Sequence, residues 1–223
     1  MNTPFFKNSI FFIFITCFTT MFSHAQDISF QSSGLIGENV NNPTSLDFGP
    51  DGRLYVSQQN GIVWAFTVER DTAPVGSGSY SILESEQITN IQTDILNHTD
   101  DGSPTTLEER QVTGIKVMGT PENPVLYVSS SDSLIGGGGG INDRNLDTNS
   151  GVLSKVTWNG EAWEKIDLVR GLPRCEENHS TNGMDVFERD GQTYMLLQQG
   201  GHANKGAPSN NFVGTAEYYL SAA

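Results

Sequence analysis

Cysteine is almost missing from this sequence. Of the 2 present, Cys17 lies in an apolar N-terminal stretch and Cys175 stands alone beyond it. The chain therefore has no internal disulfide framework, and no CxxC or Cys/His cluster points to zinc. Cys175 is left as a small loop residue, a free thiol or a partner for another chain. Basic residues are also scarce, with 12 Lys and Arg against 26 Asp and Glu and a net charge of −14. Such a surface repels phosphate backbones and disfavours nucleic acid as a partner, whereas calcium or neutral, hydroxyl-rich ligands suit it. No long window carries an apolar stripe at helical spacing, so a helical bundle is not expected.

The apolar N-terminal stretch reads as an export leader. Lys7 is its only charged side chain, Ile10 to Phe22 is almost wholly apolar, and Ser23-His24-Ala25 offers small residues at the two positions a signal peptidase reads. Cleavage is expected before Gln26, giving a signal peptide over 1–25 and a mature chain one unit more negative. No later run is apolar enough to cross a bilayer. The expected location is secreted, periplasmic or at the cell surface.

Beyond the leader, short runs rich in Val, Ile, Tyr and Phe recur between Asp-Gly, Asn-Gly and Pro-containing turns, which predicts an all-β chain. Leu46 to Phe48 leads through Pro50-Asp51-Gly52 to Leu54-Tyr55-Val56, and Asn60-Gly61 turns the chain into Ile62 to Phe66. The same unit returns twice. Gly114-Ile115-Lys116-Val117 precedes Val125 to Val128, and Gly183-Met184-Asp185-Val186 precedes Asp190-Gly191 and Thr193-Tyr194-Met195. Leu46, Ile115 and Met184 mark equivalent points, 69 residues apart each time. That period predicts propeller blades with lengthened loops, about three four-stranded blades over 26–223. A propeller buries its blades against one another and must close, so the expectation is the N-terminal part of a larger domain.

The intervening segments read as connections. Asp71 to Arg110 is polar, with a short strand near Ser79 to Leu83, and Ser129 to Ser150 holds five consecutive glycines, Gly136 to Gly140. That glycine run lacks the Lys-Ser/Thr and the strand-to-helix setting of a phosphate loop. Asp143, Asn145, Asp147 and Asn149 place oxygen-bearing side chains at alternate positions. Hard cations bind several such oxygens from a tight loop, which makes these four candidate calcium ligands. The spacing departs from the EF-hand, with Thr148 at the turn-glycine position, and a run of Asx turns entering the strand at Gly151 is the alternative.

The stretch Gly171 to Gly206 combines a histidine between polar residues, a strand, a turn, a second strand and a glycine-rich loop carrying His202. His179 lies just before the first of these strands. An imidazole titrating near neutrality can take a proton from a hydroxyl if a neighbour orients it; a solvated loop histidine is the simpler reading.

Several ordered landmarks run through the chain: Glu109-Arg110-Gln111-Val112-Thr113-Gly114-Ile115, Asn123-Pro124 with Tyr127, Val152 to Trp158, Gly171-Leu172-Pro173, His179, Gly183, and Asp190 to Tyr194. In this order they resemble the glucose/sorbosone dehydrogenase superfamily of soluble quinoproteins, over roughly Asn42 to Gly206. The resemblance implies a six-bladed propeller with pyrroloquinoline quinone (PQQ) and a sugar substrate near the axis. It implies His179 as general base on a sugar hydroxyl while hydride passes to the quinone, with Glu109 and Asn178 as cofactor-side contacts. Active members commonly carry Asp where Asn178 stands; a neutral amide holds the ring without stabilising an imidazolium. The quinone's cationic ligands and a neighbouring calcium site belong to later blades in that family. A non-catalytic propeller binding glycans or a protein at the cell surface is the alternative.

Overall fold

A computed structural model describes residues 34–70, 79–93, 109–133, 149–174 and 179–200. The leader over 1–25, Gly136 to Gly140, Asp143, Asn145, Asp147, Cys175, Asn178 and His202 lie outside them. The strands are β1 (Leu35–Ile36), β2 (Pro43–Phe48), β3 (Leu54–Gln58), β4 (Val63–Arg70), β5 (Tyr80–Ile88), β6 (Arg110–Gly119), β7 (Pro124–Asp132), β8 (Gly151–Trp158), β9 (Trp163–Leu172), β10 (Thr181–Arg189) and β11 (Gln192–Gln199). The described residues are thus nearly all β. A single 3-10 turn, Asn90–Gln92, accompanies them, and no described helix is long and apolar enough to cross a membrane.

The strands form three sheets, ordered β1-β5-β4-β3-β2, β6-β7-β8-β9 and β10-β11. Apart from the parallel β1–β5 pair, all neighbours are antiparallel. Turn chemistry places the hairpins. Asp190 and Gly191 both take positive φ, 54° and 72°, as a two-residue hairpin turn of the mirror-image type requires. Gly52, at φ 79°, closes the β2–β3 turn, where Asp51 Oδ1 accepts the Arg53 N–H.

Two elements differ from expectation. β5 extends to Ile88 instead of ending near Leu83. β9 carries no strand signal because its alternation is inverted: Lys165 and Asp167 face inward while Ile166 and Leu168 face out, 57% and 45% exposed. The inward pair is 3.7 Å apart, and each charge has a further partner, Thr93 O for Lys165 and Ser154 Oγ for Asp167. Such pairing is what allows charges at buried positions. The expectation of four strands per sheet also holds only for the second sheet, since β1 adds a fifth strand to the first and the described part of the third has two.

The core lies between the first two sheets. Tyr55, Val63, Ala65, Ile88 and Ile91 pack with Val112, Ile115, Val117, Leu126, Val128 and Val156. Tyr55 donates its hydroxyl to Asp51 Oδ2 at 2.8 Å, and burial, reinforced by that carboxylate, pushes its pKa well above the ordinary phenol value.

The 69-residue spacing is kept in space. β6 packs against both β2 and β10. The ladder slips at matching points of all three, between Pro43 and Ser45, between Val112 and Gly114, and between Thr181 and Met184. Ser45 Oγ accepts the Ile115 N–H, and Asp47 Oδ2 accepts the Val117 N–H at 2.9 Å. Across the next junction Thr113 donates to Thr181 O and Ser129 to Asn182 O. Asp47, Lys116 and Asp185, equivalent by the same spacing, form a row in which Lys116 Nζ lies 3.3 Å from Asp47 and 3.8 Å from Asp185. Equivalent apolar positions differ sharply in cover. Ile115 and Val117 are 4% and 5% exposed against the first sheet, whereas Leu46 and Phe48 are 65% and 58% exposed.

Candidate functional site

The strands β2, β6 and β10 begin at one end of the array, and polar residues gather there. Asn41 and Asn42 precede β2, Gln59 and Asn60 form the β3–β4 turn, Glu109 precedes β6, and Ser133 follows β7; together they line a cavity of about 220 Å3. Backbone bonds fix this rim. Gln59 N–H donates to Asn42 O at 3.1 Å, and Val112 N–H donates to Gln59 O at 3.2 Å, which ties the turn of the first sheet to the start of the second. Gln58 is a hub behind it: its Oε1 accepts the Asn41 N–H and the Trp64 indole N–H, and its Nε2 donates to Asn60 Oδ1. Four of the lining side chains are carboxamides. The cavity thus offers donors, acceptors and the single carboxylate of Glu109, with no cationic side chain among its described lining residues.

The arginines near this end face inward. Arg110 and Arg174 are fully buried, with Asp132, Ser150, Ser180 and Thr181 around the same strand starts. Arg110 Nη2 donates to Ser150 O, and Arg174 donates to Asp132 O at 3.4 Å and to His179 O at 3.3 Å. A buried guanidinium is tolerable only with such acceptors. The Ser130 and Ser131 hydroxyls and Gln111 Oε1, also buried, have no hydrogen-bond partner among the described residues. This inward polar layer carried no sequence signal beyond two basic residues in a chain that has few.

His179 stands immediately before β10, equivalent by the 69-residue spacing to Arg110 and Asn41. Its carbonyl is held by Arg174, and its half-buried side chain packs beside Gly200, where a Cβ would come within 3.0 Å of the His179 Cβ. The structure therefore brings Glu109 to the cavity and His179 to the start of the third such strand, and His179 is not among the cavity's described lining residues. Of the four calcium candidates, only Asn149 is described, exposed in the turn entering β8. No group of three His, Cys, Asp or Glu poised for a metal occurs among the described residues.

No protein-family profile and no curated protein matches the chain. Its functional reading therefore rests on the residues themselves. Carboxamides and one carboxylate on a rigid rim hydrogen-bond hydroxyl groups well, and carry no positive charge toward a polyanion.

Proposed function

We propose that the three sheets are successive blades of a partial β-propeller in an exported protein, and that the end where β2, β6 and β10 begin binds a small, neutral, hydroxyl-rich molecule of the sugar class. The cavity walled by Asn41, Asn42, Gln59, Asn60 and Glu109 is the observation that carries this reading. The blade assignment is supported by the matching ladder slips and by the contrast between covered Ile115 and Val117 and uncovered Leu46 and Phe48, which in a propeller belong against another blade.

Titrating the full chain with a panel of aldoses, by calorimetry or saturation-transfer NMR, tests the reading. Saturable binding is expected, weakened about 10- to 100-fold by Glu109→Ala, the range for losing a charge-assisted hydrogen bond. Absence of binding to any aldose at tens of millimolar would sink it.

A quinoprotein dehydrogenase is the second reading, favoured by His179 at the start of β10. It would use the His179 imidazole to accept the proton of a sugar hydroxyl. The described residues do not fit the quinone itself. Its carboxylates need cations, while Glu109 faces the cavity and Arg110 and Arg174 are turned into buried bonds. No redox step is assigned to the residues in hand. Dye reduction by the full chain with PQQ, calcium and an aldose, abolished by His179→Ala, would move this reading ahead of the first.

A further inference from the structure

The opposite end of the strands carries a second cavity, of about 430 Å3, between the first and second sheets. Its walls include two indoles. Trp158 and Trp163 form a cross-strand pair beside the β8–β9 turn, their rings 5.6 Å apart and inclined at 62°, so that they make a corner. Trp163 is fixed from both sides: its Nε1 donates to Glu86 Oε1 at 2.7 Å, and its carbonyl accepts Asn90 Nδ2 at 2.7 Å. The charged lining is unbalanced, with Asp51, Glu86 and Glu122 against Arg53 alone. Arg53 is already committed, 2.6 Å from Glu86 Oε2 and 3.2 Å from Ala65 O. Glu122 makes no ion pair with any described residue and stands exposed on the β6–β7 turn.

A cross-strand Trp pair would stabilise a hairpin wherever it sat. It does not account for a cavity that joins this pair to surplus carboxylates across two sheets. Indole faces attract cations through the ring quadrupole, and a nearby carboxylate adds direct charge attraction; a neutral sugar can stack on the rings and hydrogen-bond the carboxylates but gains neither charge term, and an anion is repelled. We propose that this corner is a binding site for an organic ammonium ion, supplied either as a free amine or as the side chain of a polypeptide lysine. Trp158 and Trp163 provide the aromatic walls and Glu122 the counter-charge, separate from the sugar-class cavity at the other end.

The test titrates the full chain at low ionic strength with tetramethylammonium chloride, followed by indole fluorescence and calorimetry, against sodium chloride and uncharged tert-butanol. Saturable binding is expected at roughly 1–10 mM, the range open to so small a ligand. Tert-butanol should bind at least about 10-fold more weakly, the share of a desolvated cation–π contact. Trp158→Ala should abolish binding. Because that change also removes a hairpin contact, Glu122→Gln on the exposed turn is the decisive variant: it should weaken binding about 3- to 10-fold, with Glu161→Gln unchanged. No saturation by about 100 mM, equal affinity for tert-butanol, an unaffected Glu122→Gln, or a preference for a neutral hexose would each overturn the proposal. Given binding, a trimethyl-lysine peptide that binds more tightly than tetramethylammonium identifies a polypeptide source, and equal affinity identifies a small molecule.

Discussion

Gly114 and Gly183 occupy the same place in consecutive repeats, and the structure predicts opposite responses to the same substitution. A Cβ on Gly114 would lie 2.9 Å from both the Asn182 carbonyl carbon and the Gly183 Cα, and closer still to the Asn182 carbonyl oxygen. These are backbone atoms of β10, at the ladder slip between Thr181 and Met184, so no rotamer change relieves the clash. Overpacking of this kind costs about 1–3 kcal/mol, against a gain of roughly 0.5–1 kcal/mol from replacing a flexible strand glycine. With only backbone atoms to yield, the upper part of that cost applies, and Gly114→Ala should lose about 1–2 kcal/mol net. A Cβ on Gly183 meets only Gln198 Oε1, at an ordinary 3.7 Å, and neither glycine has positive φ. Gly183→Ala should thus gain up to roughly 0.5–1 kcal/mol. With a urea slope near ~2 kcal/mol/M, the unfolding midpoints should move about 0.5–1 M down for the first and about 0.25–0.5 M up for the second. Coincident midpoints for the two variants, by circular dichroism and tryptophan fluorescence, would refute the packing of β6 on β10.

Tyr55 and Asp47 give two further predictions. The folded state holds the Tyr55 phenol protonated above its ordinary range, through burial first and Asp51 second, while the unfolded phenol titrates near ~10. Its contribution is complete below that value and is lost as pH rises beyond it, so stability should fall by about 1.4 kcal/mol per pH unit above pH ~10. Tyr55→Phe should remove that slope; an unchanged alkaline limb in urea titrations would contradict it. Asp47→Ala deprives the Val117 N–H of its acceptor and Lys116 of an ion-pair partner, and should cost about 1.5–3 kcal/mol. Asp47→Asn keeps an oxygen for Val117, should cost under about 1 kcal/mol, and its difference from wild type should shrink in 0.5 M NaCl.

The parts of the fold legible in the sequence were those set by local chemistry. Asp190-Gly191, Asn60-Gly61 and Pro50-Asp51-Gly52 mark turns because each needs a backbone conformation few other residues accept. The 69-residue spacing showed through because equivalent strands repeat the same neighbours, bulge included. β9 was invisible because its polar residues face in, and partners outside the strand, Ser154 for Asp167 and Thr93 for Lys165, help make that tolerable. Of the residues lining the candidate cavity, Glu109 was singled out in the sequence and the others were not. His179 and Glu109 do stand at strand starts, whereas Asn42, Gln59 and Asn60 look like ordinary turn residues until the hairpin brings them beside Glu109. Arg110 and Arg174 are buried, an outcome that depends on acceptors 40 or more residues away, Ser150 O and Asp132 O.

The Asp47, Lys116 and Asp185 row alternates in charge. Like charges directly opposite one another are destabilising, so a series extended in this register disfavours two carboxylates in succession. A carboxylate is therefore disfavoured in anything that packs on the Asp185 side of β10 in the manner of the earlier junctions. A second copy joined in the same register would set Asp47 against Asp185, 72% exposed on its side chain, and be repelled.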